Sequence, residues 1–260
     1  MHSTDKKITT RQLRFAARRW RASQMTSATH GIMFGFTPKA GCSAVAKLFL
    51  SSIGHENSEQ YLKWPHPDRI AYQRANPTQF ADWRNASILK LKFVRNPYER
   101  AVSSYIHVLK HPRLVAHLLA RPDDPPAEMW SFNDFLDRLS DINLFASNPH
   151  YMPQTWTLER SVFRFDRVIK IEHMHDELAL VEKDFGRRLV IDDSILKSRH
   201  HTHRDESHQF FCGDHSFSDL LETGLPPSDN FYSAEIIKKI QRLYKRDVSV
   251  LGYPAPKPFG

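Results

Sequence analysis

A small set of side chains in this sequence has the types and spacing for chemistry on an anion: Lys39, Ser43, Arg95, Ser103, His66 and His150. Lys39 lies in the polar stretch Thr37-Pro38-Lys39-Ala40-Gly41-Cys42-Ser43, between two apolar patterns. Before it, residues 32–36 are a short apolar run. After it, Val45, Leu48, Phe49 and Ile53 recur at helical steps, and Gly54 supplies a stop. Strand, tight loop and helix in that order point backbone N–H groups and the positive end of a helix dipole at an anion. The small residues Ala40, Gly41 and Ser43 let that backbone approach a phosphate-sized group, and Lys39 adds a mobile positive charge.

A second stretch carries the same logic. Ser87 to Arg95, SILKLKFVR, reads as a strand that runs into Asn96-Pro97-Tyr98-Glu99. Asn96 can cap a helix, Pro97 suits its first position and Glu99 gives a capping-box-like spacing. Tyr98, Ala101, Val102, Tyr105, Ile106 and Leu109 form one apolar face. Ser103 falls seven residues after the cap, about two turns on, with its side chain leaning back towards the N-terminal end. Arg95 through its fork and Ser103 through its hydroxyl can converge on one phosphate.

The loop is not the nucleotide-triphosphate P-loop, G-x-x-x-x-G-K-[ST]: Lys39 precedes Gly41 by two residues, and no Lys-Ser or Lys-Thr pair opens the helix. Taken together, TPKAGCSAVAKLFL and FVRNPYERAVSSY instead resemble the 5′-phosphosulfate loop and the 3′-phosphate motif of sulfotransferases that use 3′-phosphoadenosine 5′-phosphosulfate (PAPS). The variant is most similar to the carbohydrate sulfotransferases of the chondroitin and HNK-1 type, sulfotransferase family 2. Asn148-Pro149-His150-Tyr151-Met152-Pro153-Gln154 resembles that family's His-Trp-x-Pro motif, with Tyr151 where Trp is usual, a change expected on the acceptor side. LYKRDVSVLGY near the end resembles its Tyr-x-x-Asp…Gly-Tyr signature. The resemblance runs in order from about Ile32 to Tyr253. Asn96 replaces a common Asp, and both cap a helix.

The resemblance implies a P-loop-like, three-layer α/β/α sulfotransferase fold with a central parallel sheet; alternating strands and helices point the same way. It implies PAPS as sulfuryl donor, PAP as product, and a saccharide or glycolipid hydroxyl as acceptor, without a metal. Lys39, Ala40, Gly41, Cys42, Ser43 and Ala44 would hold the 5′-phosphosulfate, with Lys39 acting on the leaving oxygen. Arg95 and Ser103 would hold the 3′-phosphate, and a later loop containing Ser198 and Arg199 would fold over it. A histidine, His150 or His66, would take the acceptor proton; His55 and Glu172, the latter at the end of a strand expected over residues 163–171, are further base candidates. The alternative is a P-loop-type small-molecule kinase using a nucleoside triphosphate, which should need the Mg²⁺-binding hydroxyl that this loop lacks.

The bulk properties bound the rest. At 260 residues the chain can build one large core. The net charge of +8 invites a nucleic-acid reading, but residues 1–23 hold seven Lys and Arg against Asp5 alone, leaving the remainder near neutral. We therefore expect a basic leader or first helix over residues 1–30, a single sulfotransferase domain over 31–260, and no nucleic-acid partner. In the leader, Leu13, Ala16, Ala17 and Trp20 make a narrow apolar stripe that suits packing on the domain or peripheral contact with an anionic membrane. Two cysteines, Cys42 and Cys212, make no disulfide framework, and Cys42 reads as a small loop residue because no base accompanies it. His208 and Cys212 have helical i,i+4 spacing, but no recognised zinc pattern accompanies them. No run of about twenty apolar residues and no signal peptide is present, so a cytoplasmic, bacterial enzyme is expected, where animal relatives carry a membrane anchor.

Overall fold

The computed structural model describes residues 23–55, 64–115, 123–156, 159, 164–189, 195, 207 and 209–259. In chain order its strands are β1 (Gln24–Ser27), β2 (Ile32–Phe36), β3 (Leu89–Val94) and β4 (Arg167–Lys170). Its helices are α1 (Cys42–Ser52), α2 (His66–Ala75), α3 (Phe80–Arg84), α4 (Pro97–Leu109), α5 (Pro112–Val115), α6 (Phe132–Ser140), α7 (Met174–Phe185), α8 (Phe217–Thr223), α9 (Ala234–Leu243) and α10 (Lys245–Leu251). The chain divides into two compact units, one containing residues 23–95 and 156–195 and the other 96–155 and 207–259.

The first unit is built on the sheet, in the order β1-β2-β3-β4. β2, β3 and β4 are parallel neighbours, with Phe36 opposite Phe93 and Val94 opposite Lys170. β1 is antiparallel to β2 and adds an antiparallel edge to the central parallel sheet that the sequence leads one to expect. The reason is local. Residues 28–31 make a tight turn in which the Gly31 N–H donates to the Ala28 carbonyl at 3.1 Å and Gly31 takes φ +62°, and so short a connection can only reverse the chain. The boundary expected at residue 30 therefore falls inside a hairpin, and Gln24–Ser27 is sheet rather than leader.

Strand alternation decides what covers each face. Ile32, Phe34, Phe36, Leu91, Phe93 and Ile169 pack with Val45, Leu48 and Phe49 of α1 and with Met174, Leu178 and Val181 of α7. On the opposite face Met33 meets Trp83 of α3, Ile88 and Phe165. Two lysines of β3 are buried there with partners. Lys90 Nζ donates to the carbonyls of Asn85 and Ile88, each at 2.8 Å, and Lys92 pairs with the Glu159 carboxylate. α2 carries no buried residue.

The second unit is a helical assembly. Asn96 caps α4, its Oδ1 accepting the Tyr98 N–H at 3.0 Å, and Ser131 and Ser233 cap α6 and α9 as their sequence positions suggest. Tyr98, Val102 and Tyr105 of α4 pack with Phe132 and Phe135 of α6, Phe217 of α8 and Ile236 and Ile240 of α9. Tyr105 sits at the centre of four aromatic contacts and donates its hydroxyl to the Trp130 carbonyl at 2.8 Å.

Candidate functional site

The parallel pairing of β2, β3 and β4 brings their C-terminal ends to one edge of the sheet, where ligands bind in open α/β folds. The loop 37–41 leaves β2 there. Two of its residues, Lys39 at φ +70° and Gly41 at φ +69°, take the left-handed conformation. For Lys39 that conformation costs about 1–2 kcal/mol, and it is the one non-glycine residue with positive φ among the described residues. Gly41 is the N-cap of α1, and a Cβ there would stand 3.2 Å from Cδ1 of Ile171, the residue that follows β4. The loop closes on itself through the Ala40 N–H to the Thr37 carbonyl at 3.1 Å, and the helix begins with Val45 N–H to Gly41 O at 3.0 Å. Geometry then aims the N–H groups of Cys42, Ser43 and Ala44 out of the helix end rather than into it. Left-handed turns, a missing Cβ and a lysine in the loop are the features of a backbone cradle for an anion.

β3 ends beside this loop. Arg95 places Nη1 3.5 Å from the Lys39 carbonyl, so two motifs 56 residues apart in sequence meet at the same place. A third contributor comes from α2. His66 is its first residue, and Nε2 lies 3.1 Å from the Ser43 hydroxyl. The imidazole also packs edge-on against Trp64, with ring centroids 4.8 Å apart. The sheet unit thus assembles Lys39, Ala40, Gly41, Cys42, Ser43, Ala44, Arg95 and His66. Glu172 follows β4 in a short 3₁₀ turn (Ile171–His173), at the strand end where sequence placed it, although the strand is shorter than residues 163–171.

The helical unit holds the other candidates. Ser103 is half-buried on α4, two turns from the Asn96 cap. His150 lies in the segment 148–155, which is tied down at several points. Asn148 Oδ1 accepts the His150 backbone N–H at 3.0 Å and lies 2.7 Å from the ring Nδ1. The ring stacks on His107 with centroids 4.3 Å apart. Ser104 donates its hydroxyl to the His150 carbonyl at 2.6 Å, and Arg100 reaches the Pro149 carbonyl at 3.4 Å.

The closing signature of the chain completes this anchoring. Tyr244 donates its hydroxyl to the Tyr151 carbonyl at 2.9 Å, and burial holds that phenol well above its usual pKa. Asp247 is fully buried, and its carboxylate accepts the N–H groups of Gln154 and Thr155 and the Thr155 hydroxyl, at 2.6–2.7 Å. The Tyr-x-x-Asp spacing thus has a mechanical meaning: one turn of helix places both groups on the segment that carries His150. Tyr151 itself is fully buried in the core of this unit.

Ser198 and Arg199 lie outside the described residues, as do His208 and the basic leader through residue 22. Among the described residues no three His, Cys, Asp or Glu side chains come together in a way that could hold a metal ion, and no helix is long and apolar enough to cross a membrane. The sequence pattern gave no sign of Arg69, Arg100 or Ser104, and marked Asn148 only as part of the stretch that carries His150.

The profile of the sulfotransferase family matches residues 23–254, nearly the whole of both units. The chain belongs to the sulfotransferase family. Membership makes it a transferase of sulfuryl groups, and the kinase alternative is not favoured. No curated protein and no solved structure matches the chain.

Proposed function

We propose that this sulfotransferase takes its sulfuryl group from PAPS and delivers it to a hydroxyl of a carbohydrate or glycoconjugate. The observation that carries the reading is the meeting of Arg95 with the Lys39 loop across 56 residues of sequence. A donor with phosphosulfate at one end and a 3′-phosphate at the other needs two such cationic stations joined by rigid strands. The donor supplies an activated sulfur–oxygen bond to a good leaving group.

The residues then have distinct tasks. The N–H groups of Cys42, Ser43 and Ala44 hold the 5′ end, and their dipoles need no reorganisation as charge moves. Lys39 stands against the oxygen that bridges sulfur to the 5′-phosphate. That bond breaks as the acceptor oxygen bonds to sulfur, and PAP departs with the electron pair. Arg95, with Ser103, takes the 3′-phosphate; Ser198 and Arg199 belong to the same task in this reading. The acceptor proton passes to His66, whose Nε2 reaches Ser43 of the loop. His150 is the second base candidate, favoured by the Asn148 contact that orients its ring. The leader, if it contacts anything beyond the protein, suits an anionic membrane surface, with the enzyme in the cytoplasm.

The test is calorimetric binding of PAP, ADP and ATP, with and without Mg²⁺, to wild type and Arg95→Ala. Tight, metal-independent PAP binding that falls roughly 10- to 100-fold in the variant is expected. Preferred binding of ATP with Mg²⁺, or PAP binding indifferent to Arg95, would sink the reading.

A further inference from the structure

Arg69 stands one turn after His66 on α2, on the same side of the helix. Its guanidinium lies over the Phe36 ring, 5.5 Å from the centroid, and is within electrostatic reach of Cys42 at the first turn of α1. Phe36 is the last residue of β2 and Cys42 the first of α1, so Arg69 stands near both ends of the Lys39 loop. Arg69 Nε is buried without a hydrogen-bond partner, and among the described residues no carboxylate pairs with the guanidinium. Burial lowers its pKa, the opposite of what a carboxylate partner would do. Thr37, at the start of the same loop, also has a buried hydroxyl oxygen without a partner.

A half-buried guanidinium whose Nε has no hydrogen-bond partner among the described residues gains strongly from an oxyanion placed against it. Lys39 and Arg95 already account for the two ends of the donor in the reading above. Arg69 approaches the loop from the α2 side, next to the base candidate His66, and so on the side where the acceptor must attack.

We propose that Arg69 binds the oxygens of the transferring sulfuryl group, and so makes the site prefer the sulfated donor over its desulfated product. This rests on the PAPS reading and deepens it. Arg69 forms and breaks no covalent bond. Its fork takes non-bridging oxygens, which keep their charge as sulfur passes from the phosphate oxygen to the acceptor oxygen. Once the sulfate ester leaves, PAP retains nothing for Arg69 to hold.

The experiment compares calorimetric binding of PAPS and PAP, without acceptor, to wild type, Arg69→Met, Arg69→Lys and Arg95→Ala. Met keeps an unbranched stem against Phe36, and Lys keeps a charge without the fork, so one variant serves if the other does not fold by thermal melting. Arg69→Met should weaken PAPS by roughly 10- to 100-fold while PAP changes by less than about 3-fold, with Arg69→Lys in between. Arg95→Ala should weaken both ligands alike. Equal loss of PAP and PAPS in the Arg69 variants would overturn the assignment, as would unchanged PAPS binding with only the acceptor KM raised. If wild type bound neither nucleotide, the PAPS reading would fail first and take this inference with it.

Discussion

The Lys39 loop and the His150 segment are both candidate site loops, yet they are held in opposite ways. The Lys39 loop is shaped by its own sequence: left-handed Lys39 and Gly41, an internal bond from Ala40 to Thr37, and a helix that starts at once. The His150 segment has one local tie, from Asn148, and otherwise depends on residues far along the chain. Arg100 and Ser104 lie 49 and 46 residues from their partners there, and Tyr244 and Asp247 lie 92 or 93 away. A local loop stores strain where charge is handled and survives packing changes elsewhere. A segment hung from distant helices is as ordered as those helices are, so its geometry reports the stability of its unit.

Lys39→Ala should break the comparison on the catalytic side. Turnover should fall roughly 100- to 1,000-fold, the range for losing one group that meets developing charge, with thermal stability unchanged. Lys39→Gly should match that loss yet melt at the same temperature or higher, because relief of the left-handed strain is worth up to about 1 kcal/mol. A clear drop in melting temperature for either variant would mean the loop is structural.

Asp247→Ala should do the reverse. It leaves two buried N–H groups and a hydroxyl without their acceptor, at a cost of about 3–5 kcal/mol in chemical denaturation. PAP affinity of the molecules that remain folded should stay close to wild type. Equal loss of nucleotide affinity and stability would show that the two loops are not independently supported.

The smallest effect concerns pH. Burial pushes the Cys212 thiol from 9.0 to about 11. Between those values the unfolded chain has released its proton while the folded one has kept it, so this contribution is intact below pH 9 and declines as pH rises towards 11. Buried Tyr105 and Tyr244, whose phenols are also raised, extend the decline to higher pH. Denaturation at about pH 8 and about pH 10.5 should show a shallower loss for Cys212→Ala than for wild type. Identical slopes would remove Cys212 from the account.

Features governed by short range were legible in sequence. Thr37 to Ser43 between an apolar run and a helical pattern described the loop, and Asn96-Pro97 described the start of α4 with its cap. What escaped was governed by long range or by weak patterns. α2 buries none of its residues, so no periodicity announced the helix that brings His66 to Ser43 and Arg69 to Cys42. β1 escaped because its residues follow a basic stretch whose charge dominated the reading.

The sequence by itself determined the local chemistry: a lysine on a small-residue loop, an arginine at a strand end before a capped helix, and a histidine flanked by prolines. Those features depend on φ/ψ preference, capping and the alternation of apolar side chains, all of which act over a few residues. Only the tertiary structure decided that Arg95 meets Lys39, that His66 meets Ser43, and that Tyr244 and Asp247 hold the segment of His150. Each of those meetings joins residues 23 to 93 positions apart, and burial and strand pairing, not local preference, bring such distant groups within hydrogen-bond range.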